Sequence, residues 1–263
     1  MKRFFLVVLG ALGAQAANAG VYVEMVDVDR GSGTIDGEKL AQKMYVQNGL
    51  GRFVDAEGRA TLIKNGTMYI INDADKSYVA FDKATMEQLA KKINAAMEKA
   101  KEQLAKLPPE QRAQVEQMMS GTAGGATKHT VEALDTGKSE KVDGRNCRLW
   151  DIKRNGELDD QLCVVPYSSL PGKENFQAVF ANFAKAFEEM AKSAPALAGM
   201  MTNEFDAMAK VNGFPVRTVG YEGGGKLGTE EHLMRVWREE AIPTSMFEIP
   251  AGYKQTQMPT GGQ

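Results

Sequence analysis

The chain has 263 residues, 43% of them hydrophobic and 25% charged, with 34 acidic and 32 basic side chains, two cysteines and two histidines. A net charge of −2 argues against nucleic acid or an anionic membrane surface as a partner, since both reward an excess of Lys and Arg. His129 and His232 stand far apart and form no His-x-x-x-His pair, so no metal centre is expected, and the length suffices for one sizeable core.

Residues 1–19 read as a secretory signal. Lys2 and Arg3 give a charged start, Phe4 to Leu12 an apolar run, and Ala17-Asn18-Ala19 small residues before a cleavage site near Ala19–Gly20. The run is too short to cross a bilayer, which takes about 20 residues. No later segment is apolar enough, so no integral membrane protein is expected. Losing Lys2 and Arg3 would take the net charge from −2 to −4. The expected location is the periplasm or the exterior. Residues 20–254 are expected to form a single domain with helical insertions near 84–120 and 173–211, followed by a flexible tail at 255–263.

Short β-rich runs with polar turns open the chain. They are Val21 to Val28, Leu40 to Gln47, Arg52 to Asp55, Arg59 to Ile63, Thr67 to Ile71 and Ser77 to Phe81. Asn48-Gly49 and Asn65-Gly66 supply turn chemistry, and the spacing predicts an antiparallel meander. The period then changes. Met86, Ala90, Ile93, Met97, Ala100, Leu104 and Leu107 step by four and three, a helical stripe with Thr85 as its cap. Pro108-Pro109 ends that helix and opens another over Glu110 to Ser120. Thr130 to Leu134 returns to strand.

The stretch Thr136 to Val165 holds both cysteines. A three-residue loop Arg154-Asn155-Gly156 would set Cys147 opposite Cys163 at disulfide spacing, whereas a two-residue loop would stagger them by one. A disulfide is expected in preference to two free thiols, because the compartment is oxidising. The arginines beside Cys147 do not make it a Cys-x-x-Cys redox site. A second helical stripe follows at Phe176, Phe180, Phe183, Phe187, Met190 and Ala194, and a third helical piece at Leu197 to Val211 carries Met201, Phe205 and Met208. Phe214 to Tyr221 and Leu227 to Arg238 read as strands, and Phe247 to Ile249 as a last short one.

Three short motifs carry a family resemblance: Thr136-Gly137 through Gly144 to Cys147, Tyr69-Ile70-Ile71-Asn72-Asp73 with Lys76-Ser77-Tyr78, and Phe247-Glu248-Ile249-Pro250-Ala251-Gly252-Tyr253. Together they resemble a family of exported bacterial proteins of unknown function. That family is similar in fold to the lipoprotein carriers of the Lol system and related mycobacterial lipid-binding lipoproteins. The resemblance implies an α+β fold, a strongly curved antiparallel sheet (a half-barrel) with helices packed on the concave face. It carries no binding residue across.

The functional reading rests on an adaptable apolar set: Met86, Ile93, Met97, Phe176, Phe180, Phe183, Phe187, Met190, Met201 and Met208. Methionine suits variable apolar ligands. Two readings stay open. The set lines a cavity for a lipid or lipoprotein acyl chain, or it is ordinary core packing in an envelope protein whose helices dock a protein partner. No Gly-x-Ser-x-Gly elbow, phosphate loop or paired acid and base is present, so no enzyme and no cofactor are expected. Trp150 and Trp237 read as packing residues.

Overall fold

The computed structural model describes residues 19–29, 36–106, 108, 130–193, 207, 209–222 and 226–256. Four dipeptides set its strand pattern: Asn48-Gly49, Asn65-Gly66, Asp143-Gly144 and Asn155-Gly156 all carry positive φ at both positions. That geometry matches the right-handed twist of the flanking strands, and Asn, Asp and Gly tolerate it best. The turns join β2 (Asp36–Gln47) to β3 (Leu50–Asp55), β4 (Ala60–Lys64) to β5 (Thr67–Asn72), β7 (Val131–Val142) to β8 (Arg145–Arg154), and β8 to β9 (Glu157–Pro166).

The remaining strands are β1 (Gly20–Asp29), β6 (Ser77–Phe81), β10 (Gly213–Glu222), β11 (Lys226–Glu240) and β12 (Lys254–Gln255). All twelve form one sheet, in the order β12-β6-β5-β4-β3-β2-β1-β11-β10-β9-β8-β7. It consists of two antiparallel meanders, β1 to β6 and β7 to β11, welded where β1 pairs with β11. The short β12 adds to β6 in parallel. The two long helices described are α1 (Lys83–Ala105) and α2 (Lys173–Ser193). The Asp82 carboxylate accepts from Thr85 N at 2.8 Å and caps α1, so the cap is Asp82 and not Thr85. Residues 110–120 and 197–206, expected as helix, lie outside the described residues, as do 1–18 and 257–263.

The β8–β9 hairpin corrects the expected register. Its loop has two residues, with Arg154 opposite Glu157, and a bulge then sets Ile152 opposite Asp160 and Leu149 opposite Cys163. A two-residue loop alone would have put the cysteines on opposite faces. The extra residue restores the parity, because side chains alternate with period two. Cys147 and Cys163 are therefore diagonal neighbours on one face, disulfide-bonded with Cα atoms 5.2 Å apart.

The C-terminal segment departs from its expected form as well. Thr244–Phe247 is a 3₁₀ turn with Phe247 buried, not the start of a strand. Gln255 and Thr256, expected in the tail, are tied to β6: Gln255 pairs with Tyr78, and Thr256 N donates to Tyr78 O at 2.8 Å.

Alternation along β9 separates the two faces. Cys163 and Val165 join the main core with Phe176 and Val179 of α2. Leu162 and Val164 join a second cluster with Ala207 and Val211. The helical turn at 209–211 therefore packs on the face opposite α2, and not every helix shares one face. A third cluster, around Leu62, Ile71 and Phe247, also lies opposite the main core, since Leu62 and Ile63 are neighbours in β4. The α2 side is called the front, the other the back.

Candidate functional site

Residues directly opposite in an antiparallel ladder point the same way, so the register identifies what lines the front. One transverse row runs Val23, Met44, Phe53, Thr61, Ile70 and Val79. The next runs Val21, Val46, Gly51, Ile63, Met68 and Phe81. Burial falls along both. Val21, Val23 and Val46 are fully enclosed. Met44 and Phe53 sit half-buried at the margin of the core. Met68, Val79 and Phe81 are half-buried, and Ile70 is 41% exposed. The front of β3 to β6 is thus an apolar slope that opens toward the β6 edge.

The back of the same strands is closed by the chain itself. Ile242, Met246, Phe247, Ile249 and Tyr253 cover Ala60, Leu62 and Ile71. Polar ties hold this strap: Lys64 Nζ to Glu248 at 2.7 Å, Arg52 to the Met246 carbonyl at 3.4 Å, and the Tyr253 hydroxyl donating to Asp73 at 2.9 Å.

α2 enters the front through Phe176, Val179 and Phe183, at i, i+3 and i+7. Phe176 and Phe183 of the expected stripe face the core, whereas Phe180 is 50% exposed and Val179 takes its place. Gly51 decides the phase: a Cβ there would lie 3.0 Å from Val179 Cγ1, so the missing side chain is what admits Val179. Two asparagines one heptad apart clip the helix to the β2–β3 turn. Asn175 Oδ1 accepts from Asn48 N at 2.9 Å, and Asn182 Nδ2 donates to Gly49 O at 3.1 Å. Asn175 Nδ2 also donates to Ala19 O at 3.1 Å.

Beneath the first turns of α2 the space is filled. Phe176 is stacked on Trp237 with centroids 4.8 Å apart and meets Phe214 edge-on at 5.6 Å. The buried disulfide adjoins Leu149 and Val165 in the same cluster, and Tyr167 packs on its margin with burial pushing its hydroxyl up to about 12. Phe176 is therefore core, Phe183 the edge of the core, and Phe180 surface. Met86 is buried in α1, which packs against α2 and β6. Ile93 and Met97 lie on α1, and Phe187 and Met190 on α2, with side chains outside the described residues. Met201 and Met208 are outside the described residues altogether.

The sequence reading missed the sheet's own share: Met44, Phe53, Met68, Ile70 and Val79. A signal existed in β5, where Met68, Tyr69, Ile70 and Ile71 are consecutive apolar residues. A strand apolar on both faces needs both faces covered. Two recesses, of about 380 and 270 Å³, lie beside Asn146 at the start of β8, and no helix residue singled out from the sequence lines either.

Among the described residues no group of three His, Cys, Asp or Glu side chains is placed to hold a metal. His232 is half-exposed on β11 and is hydrogen-bonded to Asp27 on β1. Among the described residues no helix is long and apolar enough to cross a membrane. The disulfide is the chemistry of an oxidising, extracytoplasmic compartment.

No curated protein matches the sequence. Among solved structures, an uncharacterized conserved protein from Thermus thermophilus aligns over 90% of this chain and 89% of its own, at 7% identity and a TM-score of 0.41. A LolA superfamily protein from Nitrosomonas europaea aligns over 88% of this chain and 90% of its own, at 9% identity and a TM-score of 0.28. Such low TM-scores give neither likeness a bearing on function. A model of a family described as a domain of unknown function (DUF4412) matches residues 85–253, well over half of the chain, and the protein belongs to that family.

Proposed function

We propose that this is a non-catalytic envelope protein that holds an apolar or lipidated ligand against the front of β3 to β6, under α1 and α2. The observation that carries the reading is the asymmetry of those strands. Their back is covered at Ala60, Leu62 and Ile71 by the protein's own strap, while Ile70 is 41% exposed on the front and Phe53 and Val79 are half-buried there. Each apolar side chain withdrawn from water stabilises by roughly 1.5–3 kcal/mol, so an acyl chain laid along this slope gains from the same effect.

The reading includes a sheet curled toward the front as a half-barrel. Arg217 on β10 reaches Glu140 on β7 at 2.7 Å, and Arg235 on β11 reaches both Glu38 on β2 and Asp143 in the β7–β8 turn. In a flat sheet β10 and β7 lie about 14 Å apart, with side chains nearly perpendicular to it. Bonds across three strands support curling. It also takes residues 20–254 as one working unit, freed by cleavage at Ala19–Gly20 into the periplasm or the exterior. N-terminal sequencing of the exported protein should begin at Gly20.

Native mass spectrometry of protein purified in mild detergent tests the binding. The expected result is a retained lipid or acyl adduct, lost on delipidation, and at least tenfold weaker fatty-acid binding in Ile70→Glu. No adduct and no shift in melting temperature with fatty acids or lipopeptides would refute the reading.

A second reading is favoured by the filled space under Phe176, Phe214 and Trp237: the front is core, and the protein acts as an interaction or assembly factor. Sedimentation velocity separates the two. A stable self-associated or partner-bound species without lipid supports this second reading.

A further inference from the structure

We infer that the recess beside Trp237 is a separate binding site for a small carboxylate carried on an apolar body. It is lined by Arg145, Asn146, Val165, Ser169, Leu170, Pro171 and Trp237 and has a volume of about 380 Å³, within the range of small-molecule sites. Its wall and its rim differ in kind. Val165 and Leu170 are buried core residues, and Trp237 is stacked on Phe176 with its Nε1–H already donated to Pro171 O at 2.9 Å, so it offers ring and not a donor. The polar groups are Asn146, Ser169 and the Arg145 guanidinium. An apolar wall with a few convergent polar groups is the general make-up of a ligand site.

Arg145 gives the site its sign. Among the described residues, Arg59, Arg148, Arg154, Arg217, Arg235 and Arg238 pair with carboxylates, and Arg52 donates to backbone carbonyls. Arg145, half-buried at the start of β8, is the one described arginine with no such partner. A guanidinium presents a fork of N–H donors that matches a carboxylate in bidentate fashion. Ser169 Oγ donates to Pro166 O at 2.8 Å and is left as an acceptor, so an anionic ligand has the Arg145 guanidinium as its side-chain donor. The disulfide hairpin fixes the site's geometry: Arg145 lies two residues before Cys147, and Val165 two after Cys163.

The site is independent of the acyl-chain slope and stands if the slope binds nothing. The test is calorimetric titration of the full mature chain with octanoate and with 1-octanol, which share a chain and differ in charge. Octanoate should bind saturably and at least tenfold more tightly than octanol. Arg145→Gln should reduce octanoate to the octanol level, Ser169→Trp should fill the recess and weaken both at least tenfold, and Ile70→Glu should change neither. Thermal melts of the variants confirm folding. Equal binding of octanoate and octanol, octanoate affinity within twofold of wild type in Arg145→Gln, or no saturable binding of either would overturn the assignment.

Discussion

Ile70 and Ile71 are neighbours in one strand with opposite fates. Ile71 points to the back and is fully buried beneath the C-terminal strap, whereas Ile70 points to the front and is 41% exposed. The same residue type, one pleat apart, is core on one side and open surface on the other. Among the described residues, the back of β4 and β5 is covered at Leu62 and Ile71, while the front is left partly open toward β6. Ile71→Ala should cost about 4 kcal/mol, as for a large-to-small change in a packed core. Ile70→Ala should stay within about 0.5 kcal/mol, the usual range at the surface. Urea unfolding of the two variants measures the contrast, and comparable losses would mean that the front is as closed as the back.

The second contrast is between the two meanders. The β7–β11 half is cross-linked and the β1–β6 half is not. Replacing both cysteines with serine should lower stability by about 3 kcal/mol, since the disulfide closes a loop with a sequence separation of 16. Hydrogen exchange locates the loss. Amides of β8 and β9 should lose more protection than those of β4 and β5, and uniform loss would mean that the sheet opens as one unit. Asn175→Ala is next in size, at about 2 kcal/mol. It removes the acceptor of Asn48 N from a buried site, leaving that backbone donor without its partner. Its effect should appear at the α2 end of β2 and β3, read again by exchange.

What was legible in the sequence follows the range of the interactions. Asn48-Gly49, Asn65-Gly66 and Asn155-Gly156 were readable because positive φ is a local preference of those residues. Asp143-Gly144 obeys the same rule. The disulfide survived an error in register because only the parity of the offset had to be right. Phe176 and Phe183 of α2 are legible as core residues, but not the choice between Val179 and Phe180. Phe180 and Val179 both fit a helical stripe, and the choice falls to Gly51, more than a hundred residues earlier. The pairing of β1 with β11 is equally non-local, and so is the strap that Phe247 anchors. The slope is made by short strands, which give a weaker local signal than a helical stripe.

The smallest effect has the opposite sign. Asp160, on β9 opposite Ile152, has its carboxyl raised above the usual range by burial and then by the charge of Asp159, against the opposing pull of Arg154 and His232. An acid whose folded pKa is raised destabilises the fold when ionised. The penalty is fully present above the folded pKa, shrinks as pH falls toward the unfolded value of about 3.9, and is absent below it. Asp160→Asn should therefore raise the melting temperature at pH 7 and give no gain near pH 3. Asp135 supplies the control, because its carboxyl is lowered by its hydrogen bond to Arg148, so Asp135→Asn should cost stability at pH 7 and nothing below the carboxylate range. If Asp160→Asn instead destabilises at neutral pH, its carboxylate is fastening the turn end of the β8–β9 hairpin, and the cross-linked half of the sheet depends on charge as well as on sulfur.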